Sequence, residues 1–156
     1  IGKTCRRVAK ADAAKVIAGY TALNDVTVRD WQIASPTMTM GKSWDTHCPM
    51  GPALVTPDEV ADPMNLSVTL RVDDEVRQSF NTGNMLFSIA AQLSYMSTAF
   101  TLEPGDVLLT GTSAGVGFFW PGGGMLKDGQ RVRVEIESLG YIENDVVRAA
   151  AQHFIR

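Results

Sequence analysis

Cysteine and histidine are scarce in this sequence, with two of each: Cys5, Cys48, His47 and His153. Two isolated cysteines make neither a disulfide framework nor a metal-binding spacing. A reduced compartment, the cytoplasm, is the simplest expectation. Positive charge is not in excess either, because the formal net charge is -3. Nucleic-acid binding needs a clustered basic face, so that partner class is excluded. No apolar run approaches the ~20 residues of a membrane span. An initiator methionine is also missing. Ile1-Gly2-Lys3 reads as the end of a strand, so the expectation is a single domain over 1–156 that lacks its N-terminal part.

What is present is ordinary for a folded domain. The chain has 156 residues, 45% of them hydrophobic and 20% charged, enough for one core. Ala11 to Ile17 reads as a short helix ended by Gly19. Tyr20 to Asn24 reads as a buried strand that delivers Asp25 to its end, and Thr27 to Gln32 as a helical turn. Ala53 to Thr56 is a brief strand, and PDEVADP after it is turn chemistry. Leu66, Val68, Leu70 and Val72 alternate with polar residues, which predicts a half-buried strand. Asp73-Asp74 turns it into a second strand, Glu75 to Phe80. Leu86, Ile89, Leu93, Met96 and Phe100 fall on one helical stripe, predicting a main helix over Met85 to Phe100 packed on a sheet. Val107 to Leu109 reads as a buried strand, Arg131 to Glu137 and Gly140 to Val147 as two more, and Ala149 to Ile155 as a terminal helix or tail. Hairpins with segregated helices give an α+β class.

The residues able to do chemistry crowd into 24–52. Asp25 can hold a divalent cation, while Arg29, Gln32 and Lys42 can orient an anionic, oxygen-rich substrate. The plainer alternative is a surface turn with an Asp–Arg pair. Asp25, Arg29 and Gln32 can share one side, because residues three and four apart on a helix are neighbours. Gly111-Thr112-Ser113-Ala114-Gly115 matches the G-x-S-x-G nucleophile elbow, but no helix-forming run follows it. It reads instead as a glycine loop offering backbone N–H groups at Gly111 and the Thr112 hydroxyl to a ligand oxyanion. Glu135 and Glu137 share a strand with Arg131 and Arg133, which makes a solvated charged strip the better reading than a metal pair. Cys48 reads as a packed thiol and His153 as a surface residue. His47 lies near the rich stretch without an assigned role. Phe118, Phe119 and Trp120 read equally well as a pocket cap or an interface patch.

Several motifs, in one order, resemble the C-terminal catalytic domain of the fumarylacetoacetate hydrolase family. They are GYTALNDVTVRDWQ, GKSWDTHCPMGP, LVTPDEVADPMNL, RQSFNTGNMLF, TLEPGDVLLTGTSAGVG and VRVEIESLGYIEN, and together they run from Ile1 to about Val147. The resemblance implies a mixed β-sheet rolled into a barrel-like sandwich with a few peripheral helices, assembled as a homodimer. It implies Mg²⁺ or Mn²⁺ held by three carboxylates, of which Asp25 matches the third. Arg29 and Gln32 match positions that bind substrate or support the metal site. Lys42 matches the lysine that stabilises negative charge on substrate oxygen, and Thr112 the threonine of the glycine loop that meets the substrate. The family's Glu-x-Glu ligands precede the segment that matches Ile1-Gly2-Lys3, so an incomplete site is expected here.

The function implied is hydrolysis of a carbon–carbon bond in an acylpyruvate-type 1,3-diketo acid, the chemistry of aromatic catabolism. Relatives that decarboxylate oxaloacetate or isomerise or hydrate dienoate acids share its enolate step. A metal-free binding or scaffold relative is the alternative of another class, and a serine hydrolase using Ser113 a third.

Overall fold

A computed structural model describes residues 1–149, so the expected tail helix and His153 lie outside the described residues. Among the described residues there are six strands and two α-helices, joined by short 3₁₀ turns. Strand β1 is Tyr20–Leu23, β2 is Met50–Val55, β3 is Ser67–Val72, β4 is Glu75–Asn81, β5 is Arg131–Ile136 and β6 is Gly140–Asp145. Helix α1 is Arg29–Ile33 and α2 is Ile89–Ala99.

The strands form two sheets: β1 with β2, and a four-stranded sheet in the order β4-β3-β5-β6. The α+β class holds, but the expected mixed, barrel-like sheet does not. Every strand pairing among the described residues is antiparallel. Two of the connections are tight hairpins, β3–β4 and β5–β6, and a tight hairpin can only join antiparallel strands. The larger sheet is open because, among the described residues, its edges β4 and β6 pair with nothing further, whereas closure requires the outer strands to meet.

Alternation decides what the larger sheet buries. Val68, Val72, Val132 and Val134 are all buried, as the sequence spacing predicts. The charged positions between them face water, where Arg133 pairs with Glu135 at 3.1 Å and Arg131 with Asp145 at 2.8 Å. Glu137 lies beyond β5 and accepts the Ser67 amide at 3.0 Å, which lowers its pKa. The strip is therefore solvated charge. Behind it, Val60, Leu66 and Leu139 form a buried cluster with Tyr20, Val55 and Ile136 against it.

A second cluster corrects the expected placement of the main helix. Leu93, buried to 1% exposure, meets Ala13 and Leu102. The helix thus packs on the segment Lys10–Val16, which is 3₁₀ and has no side-chain cap. Among the described residues its main packing partner is that segment and not a sheet. Ser97, fully buried, fixes the arrangement by accepting the Val8 amide at 3.0 Å and donating to the Ser94 carbonyl at 3.1 Å. The helix is also shorter than the apolar stripe implies. The Ser88 side chain accepts the Ala91 amide at 3.2 Å and so caps the start. Leu86 and Phe87 fall before that cap and are 88% and 64% exposed. Val107 to Leu109 forms no strand, with Val107 and Leu109 half out in solvent. Ile1 to Lys3 forms none either.

Leu93→Ala is expected to lower the unfolding free energy by about 2–5 kcal/mol, because it opens a cavity in the smaller core. Urea denaturation of the full-length protein checks this.

Candidate functional site

Strand β1 ends at Leu23, and the chain then turns under the amide of Asn24, which donates to the Pro49 carbonyl at 3.0 Å. This ties the start of the 24–52 segment to its end. Asp25 follows in a tight turn, closed by the Val26 amide donating to the Asn24 carbonyl at 2.9 Å, outside α1, so it does not share a helical face with Arg29 as the spacing allowed. Its partner is Lys42: the ammonium donates to Asp25 Oδ2 and, at 3.3 Å, to the Thr27 hydroxyl. Both side chains of the pair remain a little over a third exposed.

Arg29 and Gln32 do share one side of α1. Arg29 Nη1 donates to Gln32 Oε1 at 2.7 Å, the contact that three-residue spacing makes possible. The Arg29 guanidinium also lies over the Phe118 ring, 5.7 Å from its centroid. Phe118 therefore links the glycine loop to α1. Phe119 stacks edge-on against it at 5.0 Å and points outward, 81% exposed.

Lys42 is carried by the 3₁₀ turn Thr39–Gly41, and the Gly41 carbonyl accepts the Val28 amide at 2.8 Å. Gly41 is buried against α1. A Cβ there would stand 2.6 Å from Gln32 Cα, closer than real contacts allow. A side chain at residue 41 would therefore force α1 or the turn that carries Lys42 to move.

The glycine loop at 111–115 is held from β4. Gln78, 9% exposed, gives its Nε2 to the Thr112 hydroxyl at 2.8 Å. Ser113 Oγ donates to the Ala114 carbonyl at 2.9 Å, and no α-helix follows the loop, only the 3₁₀ turn Gly117–Phe119. Neither a base nor an elbow geometry activates Ser113, so the serine-hydrolase reading loses its structural support. Burial pushes the Cys48 thiol pKa up, Asp25 adds to that, and Lys42 opposes it. His47 tilts against Trp44 at 6.1 Å, and its buried Nδ1 has no partner among the described residues.

Gln78 has no role on sequence grounds. The available signal was a glutamine on the β4 side that faces buried β3 positions, since a buried amide must find partners. Thr27 was likewise legible only as part of a turn.

The family model described as fumarylacetoacetate (FAA) hydrolase C-terminal matches residues 1–147. The chain belongs to the fumarylacetoacetate hydrolase family. Among curated relatives of this family member, the mitochondrial oxaloacetate tautomerase of Rattus norvegicus is 46% identical over 148 residues, 94% of this chain and 47% of that protein. The solved fumarylacetoacetate hydrolase of Exiguobacterium antarcticum superposes with a TM-score of 0.92 at 41% identity, covering 96% of this chain and 53% of the other. Maleylpyruvate hydrolase from Sphingobium sp. SYK-6, solved with manganese(II) and pyruvate, gives 0.82 at 39% identity, covering 94% and 50%. The chain thus spans about half the length of the relatives it matches. Among the described residues, no helix is long and apolar enough to cross a membrane.

A divalent cation fits this family member in part. Asp25 supplies a hard carboxylate oxygen of the kind Mg²⁺ and Mn²⁺ prefer. Lys42 contacts Oδ2 alone, which leaves Oδ1 for an ion. Among the described residues, however, no three His, Cys, Asp or Glu side chains converge on one point. Asp25 alone cannot make such a centre.

Proposed function

We propose that the full-length protein is a divalent-metal enzyme of 2-oxo acids that works through an enolate, with keto–enol tautomerisation of oxaloacetate as its reaction. The observation that carries this is the Lys42–Asp25 contact. It puts an ammonium beside a carboxylate able to hold an ion, so an oxo-acid oxygen drawn to that point meets a ready donor. The identity to the rat tautomerase favours this reaction over the others of the family.

When bound, Mg²⁺ or Mn²⁺ supplies fixed positive charge that polarises the carbonyl of the oxo acid. Asp25 is the residue of this chain that holds it. Lys42 donates to the substrate oxygen that becomes negative as the adjacent carbon loses its proton. Arg29, steadied by Gln32 and Phe118, pairs with the far carboxylate of a dicarboxylic substrate. The Thr112 hydroxyl donates to a substrate oxygen from the glycine loop, whose turn at Gly111 uses a φ of +102°. Cys5 and Cys48 are free thiols, in keeping with a reducing, cytoplasmic home; the rat relative's name places that protein in mitochondria.

Carbon–carbon hydrolysis of an acylpyruvate is the second reading. It is favoured by the likeness to a maleylpyruvate hydrolase solved with manganese(II) and pyruvate. The two separate in one assay. Full-length protein with Mn²⁺ is given enol-oxaloacetate, followed by loss of enol absorbance, and in parallel an acylpyruvate, followed by pyruvate release. Accelerated ketonisation without pyruvate release is expected. Pyruvate release alone would hand the site to the hydrolase reading, and neither activity would favour a binding or scaffold relative.

A further inference from the structure

The 111–115 loop docks on β4 at a fault in the sheet. Leu70 pairs with Gln78 and Arg71 with Val76, so Arg77 is left over as a bulge. The bulge turns the Arg77 carbonyl toward Gly115, where a Cβ would run into it. Gly115 also has a φ of +99°, which L side chains rarely adopt. The Arg77 guanidinium lies over the Trp120 ring, 4.6 Å from its centroid, and pins the segment that follows the loop.

Beside the bulge, the Gln78 side chain enters the loop. Its Nε2 lies 2.8 Å from Thr112 Oγ1, 3.2 Å from the Ser113 carbonyl, 3.3 Å from Ser113 Oγ and 3.2 Å from the Ala114 carbonyl. Two of those four are carbonyl oxygens, which only accept. Nitrogen must therefore face the loop, because the amide oxygen there would oppose both carbonyls. A threonine hydroxyl has one proton to give. Since Thr112 Oγ1 accepts from Gln78, its own proton is left for another acceptor.

The geometry points to Gln78 as a positioning residue: it clamps the glycine loop on β4 and turns the Thr112 hydroxyl into a donor toward a substrate oxygen. This rests on the reading of Thr112 given above. Gln78 touches no substrate and acts through Thr112.

The test is a double-mutant cycle in the full-length protein with Mn²⁺, read as kcat on enol-oxaloacetate or on the acylpyruvate, whichever is turned over. Thr112→Val is expected to lower kcat on the order of 10²-fold, as loss of one oxyanion donor does. Gln78→Met, similar in shape but with no N–H, is expected to lower it about tenfold or more, since one misaligned donor is only partly lost. The double variant should be no slower than Thr112→Val alone, because the two residues act as one unit. Thr112→Ser, which keeps the hydroxyl, should restore most of the rate in the presence of Gln78. Losses that multiply in the double variant, or a Gln78→Met enzyme as fast as the parent, overturn the proposal.

A second readout needs no turnover. The side-chain ¹⁵N–¹H signals of Gln78 should shift in Thr112→Val, whatever the protein's substrate. Unchanged signals refute the clamp even if Gln78→Met fails to fold. A parent protein inactive on every oxo acid would refute the functional reading, while these signals would still decide the place of Gln78.

Discussion

Lys42→Ala is expected to cut kcat of the full-length enzyme on the order of 10²–10³-fold. The ammonium meets both Asp25 and the Thr27 hydroxyl. Replacing it by a methyl removes a donor aimed at the point where negative charge grows, and water cannot restore a fixed charge there. The pair is part-exposed, so little stability is tied to it. The variant should therefore fold normally and fail in rate. Lys42→Arg should not rescue it, because a planar guanidinium does not place one compact charge where an ammonium does. A loss below about tenfold would remove Lys42 from the chemistry.

Gly41→Ala comes next in expected size, and it acts through position alone. A Cβ on residue 41 would lie 2.6 Å from both Gln32 Cα and Cβ, and 2.7 Å from Gln32 N. Two of those atoms are backbone, so no rotamer change relieves the overlap. Either α1 or the turn Thr39–Gly41 must move. The Gly41 carbonyl would then strain its bond with the Val28 amide, and Lys42, the next residue, would draw away from Asp25. Overpacking of this kind costs about 1–3 kcal/mol. A shift near 1 Å at the donor costs on the order of 10²-fold in rate. Denaturation and kcat measured on one sample check both. A Gly41→Ala enzyme within threefold of the parent would show that the turn tolerates the methyl and that Lys42 needs no such tight seat.

The contrast between these two positions explains what was legible in the sequence. Lys42, Asp25, Arg29, Gln32 and Thr112 stand out by chemical type and by motif order. The β3–β4 and β5–β6 hairpins stand out because period-two alternation is a local signal, visible in Val68–Val72 and Val132–Val134. What depends on distant contacts was not legible. The requirement for glycine at 41 comes from Gln32, nine residues back and across a turn. The seat of α2 on Lys10–Val16 is set by Ser97 meeting Val8 across the chain. The Arg77 bulge exists only as a mismatch between two strands, and neither strand shows it alone. The apolar stripe from Leu86 to Phe100 overran the helix because a single polar residue, Ser88, fixes where it begins. The barrel expectation came from the family resemblance. Sheet closure is a property of strand order, and no local pattern in these strands encodes it.

The most direct test of the proposed centre is Mn²⁺ affinity of the full-length protein, measured by electron paramagnetic resonance of the free ion, for the parent, Asp25→Asn and Lys42→Ala. Asp25→Asn should bind Mn²⁺ at least about tenfold more weakly, since even outer partners of a metal site matter on that scale. Lys42→Ala should bind it as well as the parent or better, because a competing cation is gone, while turnover falls as above. Equal affinity in the parent and Asp25→Asn, or weaker binding in Lys42→Ala, would contradict the assignment of Asp25 to the ion and Lys42 to the substrate oxygen.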